Sequence, residues 1–245
     1  MDSGYYAAFA GLLARSQALD VAAGNLANAG TAGYRAERDY FRSAILGPEA
    51  LDSQLNTVVN AFGVLGGSRL DLSQGALTPT GNPLDLAIEG EGFFAIQTQQ
   101  GIRYTRNGQF ERAQNGMLTT QAGEPVLDAT QKPIRVPAGD IVVGEDGAVS
   151  VNGAIAGRIG LAGFASAAVL TAEGANRYAA AEGAQATAAT GAVHQASLES
   201  SNQDAIGGTL NLILMQRQAE MMQKAVSIFS NDFDRTASEE LPRVP

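Results

Sequence analysis

Residues 4–28 read GYYAAFAGLLARSQALDVAAGNLAN, with apolar and small side chains recurring at alternating steps of four and three. This spacing is a heptad stripe, which is typical of a helix that packs lengthwise against another helix. The stripe consists of Tyr5, Phe9, Leu12, Ser16, Leu19, Ala23 and Leu26. A single amphipathic helix cannot bury this stripe by itself, so the pattern predicts a partner helix elsewhere in the chain.

The C-terminal part of the chain offers such a partner. From Leu198 to Ala237 there is no proline, and Gly207 and Gly208 are the only glycines. One broad apolar face is predicted for Ile206, Leu210, Ile213, Leu214, Met221, Ala225 and Ile228. Further apolar residues spread around the rest of the cylinder, namely Leu212, Met215, Met222, Val226 and Phe229. A helix that is apolar on most sides is expected among several neighbours, which in a chain of 245 residues indicates assembly with other copies or subunits.

The middle of the chain, from Pro83 to Phe164, has the pattern of short strands. Turn dipeptides separate its apolar runs, at Asn107-Gly108, Asn115-Gly116, Asp146-Gly147 and Asn152-Gly153. Each dipeptide predicts a hairpin, because Asn, Asp and Gly tolerate the positive φ of tight turns. The predicted strands include Leu84–Glu89, Gly92–Gln97, Ile141–Val143 and Ala148–Val151.

These patterns predict an α+β chain with an N-terminal helix, an irregular antiparallel β domain and a C-terminal helix. The expected divisions are 1–46 for the first helix and turn, 47–82 for a connector, 83–164 for the β domain, 165–197 for a return segment and 198–245 for the last helix. We expect Gly47–Ser73, with FGVLGGS at Phe62–Ser68, to be a flexible connector. We expect the Ala/Gly/Thr-rich stretch Ala165–Val193 to be loosely structured, because its small side chains bury little apolar area.

Composition excludes several functional classes. The formal charge of -9 disfavours nucleic acid and anionic membrane surfaces as partners. The chain has no cysteine, so disulfides, thiolate zinc sites and thiol nucleophiles are impossible. The first twenty residues lack the pattern of a secretory signal peptide. No apolar run approaches the roughly 20 residues of a membrane-spanning helix, so no direct membrane span is expected.

Candidate catalytic groups are few. His194 is the only histidine and lies in the return segment, away from any evident nucleophile, so we interpret it as an ordinary exposed or linker histidine. Glu89 and Glu91 flank Gly90, but carboxylates two residues apart at a turn are common. No nearby feature suggests a pocket that would separate their pKa values. The sequence therefore predicts no catalytic site.

Cofactor and metal sites are not predicted either. The glycines of FGVLGGSR, residues 62–69, are not followed by the GK[ST] of a phosphate-binding loop. Asp140, Glu145 and Asp146 do not have the spacing of a calcium-binding loop.

The segment GNLANAGTAGYR, residues 24–35, resembles the N-terminal signature of flagellar rod and hook proteins. In that signature a helix ends in N-L-A-N and is followed by a T-x-G-[FY]-[KR] turn. The matching residues are Asn25, Leu26, Ala27, Asn28, Thr31, Gly33, Tyr34 and Arg35. Gly24 and Gly30 stand where the family often has Asn, which removes local side-chain hydrogen bonds.

Further segments resemble the same family in the expected order along the chain. Residues 74–97 and YTRNGQF at 104–110 are similar to the entry into the family's middle β domain. LESSN at 198–202 and QRQAEMMQKA at 216–225 are similar to its C-terminal helix. GANRY, at 174–178, fits both the proximal and the distal rod types.

The resemblance implies a structural, non-enzymatic subunit of the flagellar basal-body rod. In this family the terminal helices pair as a coiled coil that lines an axial tube, with the β domain outside. The implied partners are copies of the chain, other rod subunits and the flagellar type III export apparatus. The implied location is the rod, which crosses the periplasm, after export without a cleaved signal peptide.

The single small middle domain favours a rod subunit over the hook protein, and the C-terminal sequence favours the proximal over the distal rod. A secreted adhesin or enzyme built on a β scaffold is the alternative from a different class.

Overall fold

The computed structural model describes residues 2–42 and 64–240, which form two compact units. The helical unit comprises the described parts of 1–27, 37–69 and 205–245. The β unit comprises residues 28–36 and 70–204. The chain is therefore α+β, with a helix near each end and a mostly antiparallel β unit between them.

Two long helices dominate the helical unit. Helix α1 spans Asp2–Ala27 and helix α2 spans Ala205–Glu240, and the two contact each other. Strands β1 (Glu37–Arg42) and β2 (Val64–Leu70) pair in a two-stranded sheet, and β1 contacts α1. The predicted helices at both ends of the chain are confirmed.

The side of α1 that is buried in this chain differs from the heptad stripe. Its buried residues are small or amide-bearing and recur at steps of three and four: Gly11, Ala14, Ala18, Ala22 and Asn25. Phe9, Ser16 and Ala23 of the stripe are exposed, and Leu12, Leu19 and Leu26 are half-buried. Small side chains let backbones approach closely, which explains why the alanine side and not the leucine side is covered here.

Helix α2 also buries one side at heptad spacing. The residues that are buried or half-buried on this side are Gly208, Leu212, Met215, Ala219, Met222 and Val226. Steps of four and three place them on one side of the helix. They include four of the residues that the sequence analysis placed outside the broad apolar face, namely Leu212, Met215, Met222 and Val226.

The β unit contains short strands that pair antiparallel. The first group is β3 (Leu77–Pro79), β4 (Leu86–Glu89), β5 (Phe93–Thr98), β6 (Gly101–Thr105), β7 (Phe110–Arg112), β8 (Leu118–Thr120), β9 (Ile141–Val143) and β10 (Ala148–Val151). The second group is β11 (Ala154–Arg158), β12 (Leu161–Gly163), β13 (Leu170–Ala172), β14 (Tyr178–Ala180), β15 (Thr187–Ala188), β16 (Ala192–Gln195) and β17 (Ser197–Glu199). A short 3₁₀ helix spans Ala167–Val169.

The widest sheet has the strand order β13-β14-β6-β5-β12-β15. A smaller sheet has the order β11-β10-β9, and the remaining strands pair as β16-β4, β17-β3 and β7-β8. The predicted strands around β4, β5, β9 and β10 are confirmed.

Strand β5 separates two hydrophobic clusters of the β unit. Phe94 and Ile96 belong to one cluster, while Phe93 and Ala95 belong to the other, because successive side chains of a strand point to opposite faces. Phe94 packs edge-to-face on Phe110, with ring centroids 5.0 Å apart. The run FFAI, residues 93–96, is apolar without alternation because both faces of β5 are buried there.

Three of the four predicted hairpins are confirmed. Asn115-Gly116 joins β7 to β8, Asp146-Gly147 joins β9 to β10, and Asn152-Gly153 joins β10 to β11. Asn152 and Gly153 have φ of 50° and 81°, as a two-residue hairpin turn requires.

The prediction of a hairpin at Asn107-Gly108 is wrong, since β6 and β7 belong to different sheets. There the backbone runs against β4, where Leu86 N donates to Gly108 O at 3.0 Å. A Cβ on Gly108 would lie 1.6 Å from Leu86 O. Glycine is therefore required here because the two backbones approach closely, and not because the chain turns.

The return segment is not loosely structured. Residues 165–193 contain β13, β14, β15 and part of β16. Three large side chains, Leu170, Tyr178 and Val193, are buried, and backbone pairing orders the alanines between them. The segment is therefore ordered by a few buried side chains and by backbone hydrogen bonds between paired strands, although its small side chains bury little apolar area.

Two further predictions need correction. The last helix begins at Ala205 and not at Leu198, because residues 197–199 pair with β3 as strand β17. Within the predicted flexible connector, residues 64–70 form β2. The part of the connector from 47 to 63 lies outside the described residues.

Candidate functional site

The signature begins in the last turn of α1, where Asn25 is buried. Its side-chain amide makes two hydrogen bonds with the backbone of Glu37, one as donor and one as acceptor. Asn25 Nδ2 donates to Glu37 O at 2.7 Å, and Glu37 N donates to Asn25 Oδ1 at 2.9 Å. Leu26 and Ala27 complete the helix. Asn25 therefore fixes the end of α1 on β1 within the helical unit.

The turn that follows is held by its own polar groups and by one glycine. Thr31 N donates to Asn28 O at 3.0 Å, Thr31 Oγ1 donates to Asn28 Oδ1 at 3.2 Å, and Tyr34 N donates to Thr31 O at 3.3 Å. Gly33 has φ of +68°, and a Cβ there would lie 2.3 Å from Arg106 C. The signature glycine is thus required by its positive φ and by close backbone contact.

A buried ion triad forms where the signature meets two other segments of the β unit. Arg35 Nη2 donates to Glu199 Oε1 at 2.7 Å, and Arg106 Nη1 donates to Glu199 Oε2 at 3.0 Å. The side chains of Arg35 and Glu199 are 0% exposed, and that of Arg106 is 4% exposed. Gly75 N donates a third hydrogen bond to Glu199 Oε1 at 2.9 Å. Glu199 is therefore the shared acceptor of the whole cluster.

The triad has two cations and one anion, so one positive charge is left uncompensated by its members. Burial lowers the pKa of Arg106, while Glu199 opposes that change and Arg35 adds to it. An arginine nevertheless stays protonated. Within the described part of the chain, Arg35 Nε and Nη1 and Arg106 Nε have no hydrogen-bond acceptor. The stability of the cluster therefore depends strongly on the Glu199 carboxylate.

Two further segments hold the signature from the C-terminal side. Asn176 Nδ2 donates to Ala32 O at 2.8 Å, and Arg35 N donates to the Tyr178 hydroxyl at 3.1 Å. Both residues belong to GANRY. The amide of Asn202, in LESSN, accepts from Ala36 N at 2.8 Å through Oδ1. Segments that the sequence presents as separate similarities thus converge on residues 28–36.

Sequence reasoning did not identify this convergence. It named Arg35 as part of the signature, but it assigned no role to Arg106, Glu199 or Tyr178. Charged residues beside apolar strand residues, as in YTR and SLE, are the available signal for burial. Which charges pair over 93 or 164 residues of sequence is not encoded in any local pattern.

The helical unit carries a second feature, an exposed apolar face on α2. Ile206 is 75% exposed and Leu210 is 59% exposed. The exposed members are Ile206, Leu210, Ile213, Leu214, Met221 and Ile228. At 100° per residue these side chains lie opposite the buried side described above. Contiguous exposed apolar side chains of this kind mark interaction surfaces. We call this set the α2 apolar face.

The other residues that sequence reasoning assigned to assembly are placed as follows. Ala225 is half-buried at the margin of the α2 apolar face. Phe9 is exposed on α1, whereas Leu12, Leu19 and Leu26 are half-buried. Tyr5 lies in α1, but its side chain is outside the described part of the structure. The role of these residues in assembly stays a prediction.

The candidate chemical groups of the β unit lie at its surface. His194 Nε2 and Glu89 Oε2 are 2.6 Å apart, and their side chains are 35% and 61% exposed. Glu91 is exposed as well. The pair joins neighbouring strands β16 and β4.

In the described residues, no three or more histidine, aspartate or glutamate side chains come together as a metal site. Neither described helix combines the length and the apolar character that crossing a membrane requires.

Two family models match the chain. The model described as "Flagella basal body rod protein" matches residues 6–35, which cover most of α1 and the signature turn. The model described as "Flagellar hook protein FlgE/F/G D1 domain" matches residues 87–151, in the β unit. One model thus matches the N-terminal helix with its signature turn, and the other matches part of the β unit.

Several bacterial proteins are similar to the chain along most or all of its length. The flagellar basal-body rod protein FlgF of Caulobacter vibrioides is 34% identical over 100% of both chains. FlgF of Escherichia coli is 32% identical over 96% of this chain and 97% of the relative. The flagellar basal-body rod protein FlgG of Bacillus subtilis is 31% identical over 91% of this chain and 93% of the relative.

Proposed function

Because the chain belongs to the flagellar basal-body rod protein family, we propose that it is a structural subunit that self-assembles into the rod. The family is one of structural proteins and not of enzymes. The observation that carries the proposal is the α2 apolar face. It lies opposite the side of α2 that is buried in the chain and therefore needs other subunits to cover it.

We propose that α1 and α2 pair as a coiled coil in the assembled rod. Two observations support this pairing: the helices contact each other, and the buried residues of each recur at steps of three and four. In the assembled rod, neighbouring subunits then contact the half-buried leucines of α1 and the exposed Phe9. Copies of this chain and other rod subunits are the proposed occupants of both apolar surfaces.

We assign the chain to the proximal rod. The support is that relatives of the proximal-rod type, FlgF, from two species align with nearly all of it. A distal position is the second candidate, since the FlgG relative of Bacillus subtilis is almost as similar. The proposed location is the basal body, where the rod crosses the periplasm. We propose that the flagellar type III export apparatus delivers the chain there without cleavage of a signal peptide.

A structural role predicts that the polar groups at the surface of the β unit are dispensable. His194→Ala and the double change Glu89→Gln with Glu91→Gln should leave swimming and the yield of basal bodies close to wild type. An exposed pair of this kind contributes less than about 1 kcal/mol to stability. Swimming speed in soft agar and counts of isolated basal bodies measure the outcome. Loss of motility with complete, normally shaped rods would instead reveal an activity of the β unit.

Site-specific photo-crosslinking tests whether the α2 apolar face meets other subunits. Benzoylphenylalanine at position 210 replaces one large apolar side chain by another and reacts with whatever lies beside it. In isolated basal bodies, light should join the chain to a second copy or to another rod subunit. The same variant as a dilute purified chain is the control and should stay uncoupled. Basal bodies that contain the variant but give no adduct would contradict the proposal.

A further inference from the structure

Residues 28–36 of the β unit are held mainly by residues that come late in the unit. Gly33 N donates to Glu199 O at 2.7 Å, Arg35 N donates to the Tyr178 hydroxyl, and Ala36 N donates to Asn202 Oδ1. The segment itself contains no helix or strand. Asp71 N also donates to Ala36 O at 2.8 Å, and Gly33 lies close to the backbone of Arg106. The position of the segment therefore depends on these contacts, on hydrogen bonds to residues 176–202 and on the ion triad.

The hydrophobic core of the β unit is built without this segment. Both clusters of buried apolar residues draw only on residues between Leu70 and Val193. Residues 28–36 contribute mostly small side chains, and only Tyr34 and Arg35 are large. Residues 29–32 also line a groove of about 530 Å³ together with Thr78 and Ser200, so one side of this part of the segment borders open space. Detaching the segment would expose little apolar surface.

The charges of the triad favour a detachable segment. Without Arg35, Glu199 and Arg106 form a balanced pair of one anion and one cation, still joined by the 3.0 Å contact. Attachment of the segment adds a second buried guanidinium, whose Nε and Nη1 lack acceptors among the described residues. Detachment returns that guanidinium to water, which offsets part of the lost bonding.

We propose that residues 28–36 form a latch that opens and closes as a separate unit while the core of the β unit stays folded. Opening breaks the bonds to Asp71, Tyr178, Glu199 and Asn202 and leaves the strands paired. Such sub-global openings occur where few apolar contacts and many polar ones hold a segment. The latch gives the segment that follows α1 conformational freedom without unfolding of the β unit. This inference does not depend on the proposed function.

Native-state hydrogen exchange of the full-length chain at low denaturant concentrations tests the latch. The reporters are the amides of Gly33 and Ala36, and the core references are Val126 and Ile134, whose amides are bonded to Leu118 O and Val126 O. The reporters should be at least about tenfold less protected and should respond less steeply to denaturant, because opening exposes less surface. Equal protection and equal slopes would overturn the latch.

A matched pair of variants gives an independent readout. Tyr178→Phe keeps the ring beside Phe93 but removes the acceptor of Arg35 N, so exchange at Gly33 and Ala36 should rise about tenfold. Tyr104→Phe removes a hydroxyl from the paired position of the neighbouring strand and should change neither set of rates. If Tyr178→Phe accelerated the core references as much as the reporters, the segment and the core would be one cooperative unit. The latch would then be wrong.

Discussion

Replacing Glu199 with glutamine should lower the free energy of unfolding by about 3–5 kcal/mol, the usual cost of breaking a buried ion pair. The substitution keeps the shape of the side chain but removes the anion between Arg35 and Arg106, both of which stay buried. It also turns an amide donor toward one of the guanidinium groups. For a chain of this size the midpoint of thermal unfolding should fall by on the order of 10 °C. Circular dichroism during heating measures the shift.

Two further variants show whether the triad causes this loss. Asp146→Asn removes a carboxylate that pairs with Arg158 at the surface, so it should change stability by less than about 1 kcal/mol. Adding Arg35→Met to Glu199→Gln removes one of the two stranded cations and should restore part of the stability. If Glu199→Gln were no more harmful than Asp146→Asn, the triad would not contribute to the stability of the β unit.

The pair of changes Ile206→Asp and Leu210→Asp should abolish swimming while leaving the isolated chain folded. Both side chains are exposed in the chain, so its own stability should change by less than about 1 kcal/mol. The first of the two new carboxylates would also lie in the first turn of α2, where the helix dipole favours a negative charge. Once covered by neighbouring subunits, each unpaired carboxylate costs several kcal/mol, and every copy in the rod carries two.

Asn211→Asp with Gln223→Glu is the matched control for this pair. It adds two carboxylates to α2 at exposed positions about 100° or more from Leu210 around the helix. We expect these cells to swim at least at a reduced rate. Soft-agar motility, with circular dichroism of each purified chain, separates failure of assembly from failure to fold. Normal swimming of the Ile206→Asp, Leu210→Asp strain would refute a role of the α2 apolar face.

The helices and most of the hairpins could be predicted because their signals are local. Heptad steps follow from the helical repeat, and Asn115-Gly116 or Asn152-Gly153 report a turn through the φ values that they tolerate. The same reasoning failed at Asn107-Gly108. There the glycine is needed because the backbone passes too close to Leu86, on another strand, to leave room for a Cβ.

Burial on the helices was harder to predict from periodicity. Both the leucine stripe and the alanine side of α1 repeat at steps of three and four, and hydrophobicity alone favours the leucines. Close approach of two backbones favours Ala14, Ala18 and Ala22 instead. On α2 most residues of the predicted broad apolar face are exposed, whereas Ala225 is half-buried.

The return segment and the triad could not be derived from local signals. Low complexity from 165 to 193 suggested disorder, yet pairing with other strands orders a backbone whatever its side chains are. The three ionic partners come from three separate segments, and only the fold brings Glu199 between Arg35 and Arg106. Such pairing is a long-range property, which explains why the sequence revealed the segments but not their meeting point.

The most direct test of a rod role is to image basal bodies from a strain that lacks this gene, with and without a plasmid that restores it. Electron cryo-tomography of the cells would show how far each axial structure extends. In the deletion strain, assembly should stop within the rod before any hook forms, and the restored gene should return complete rods, hooks and motility. Complete rods with hooks in the deletion strain would contradict a rod role.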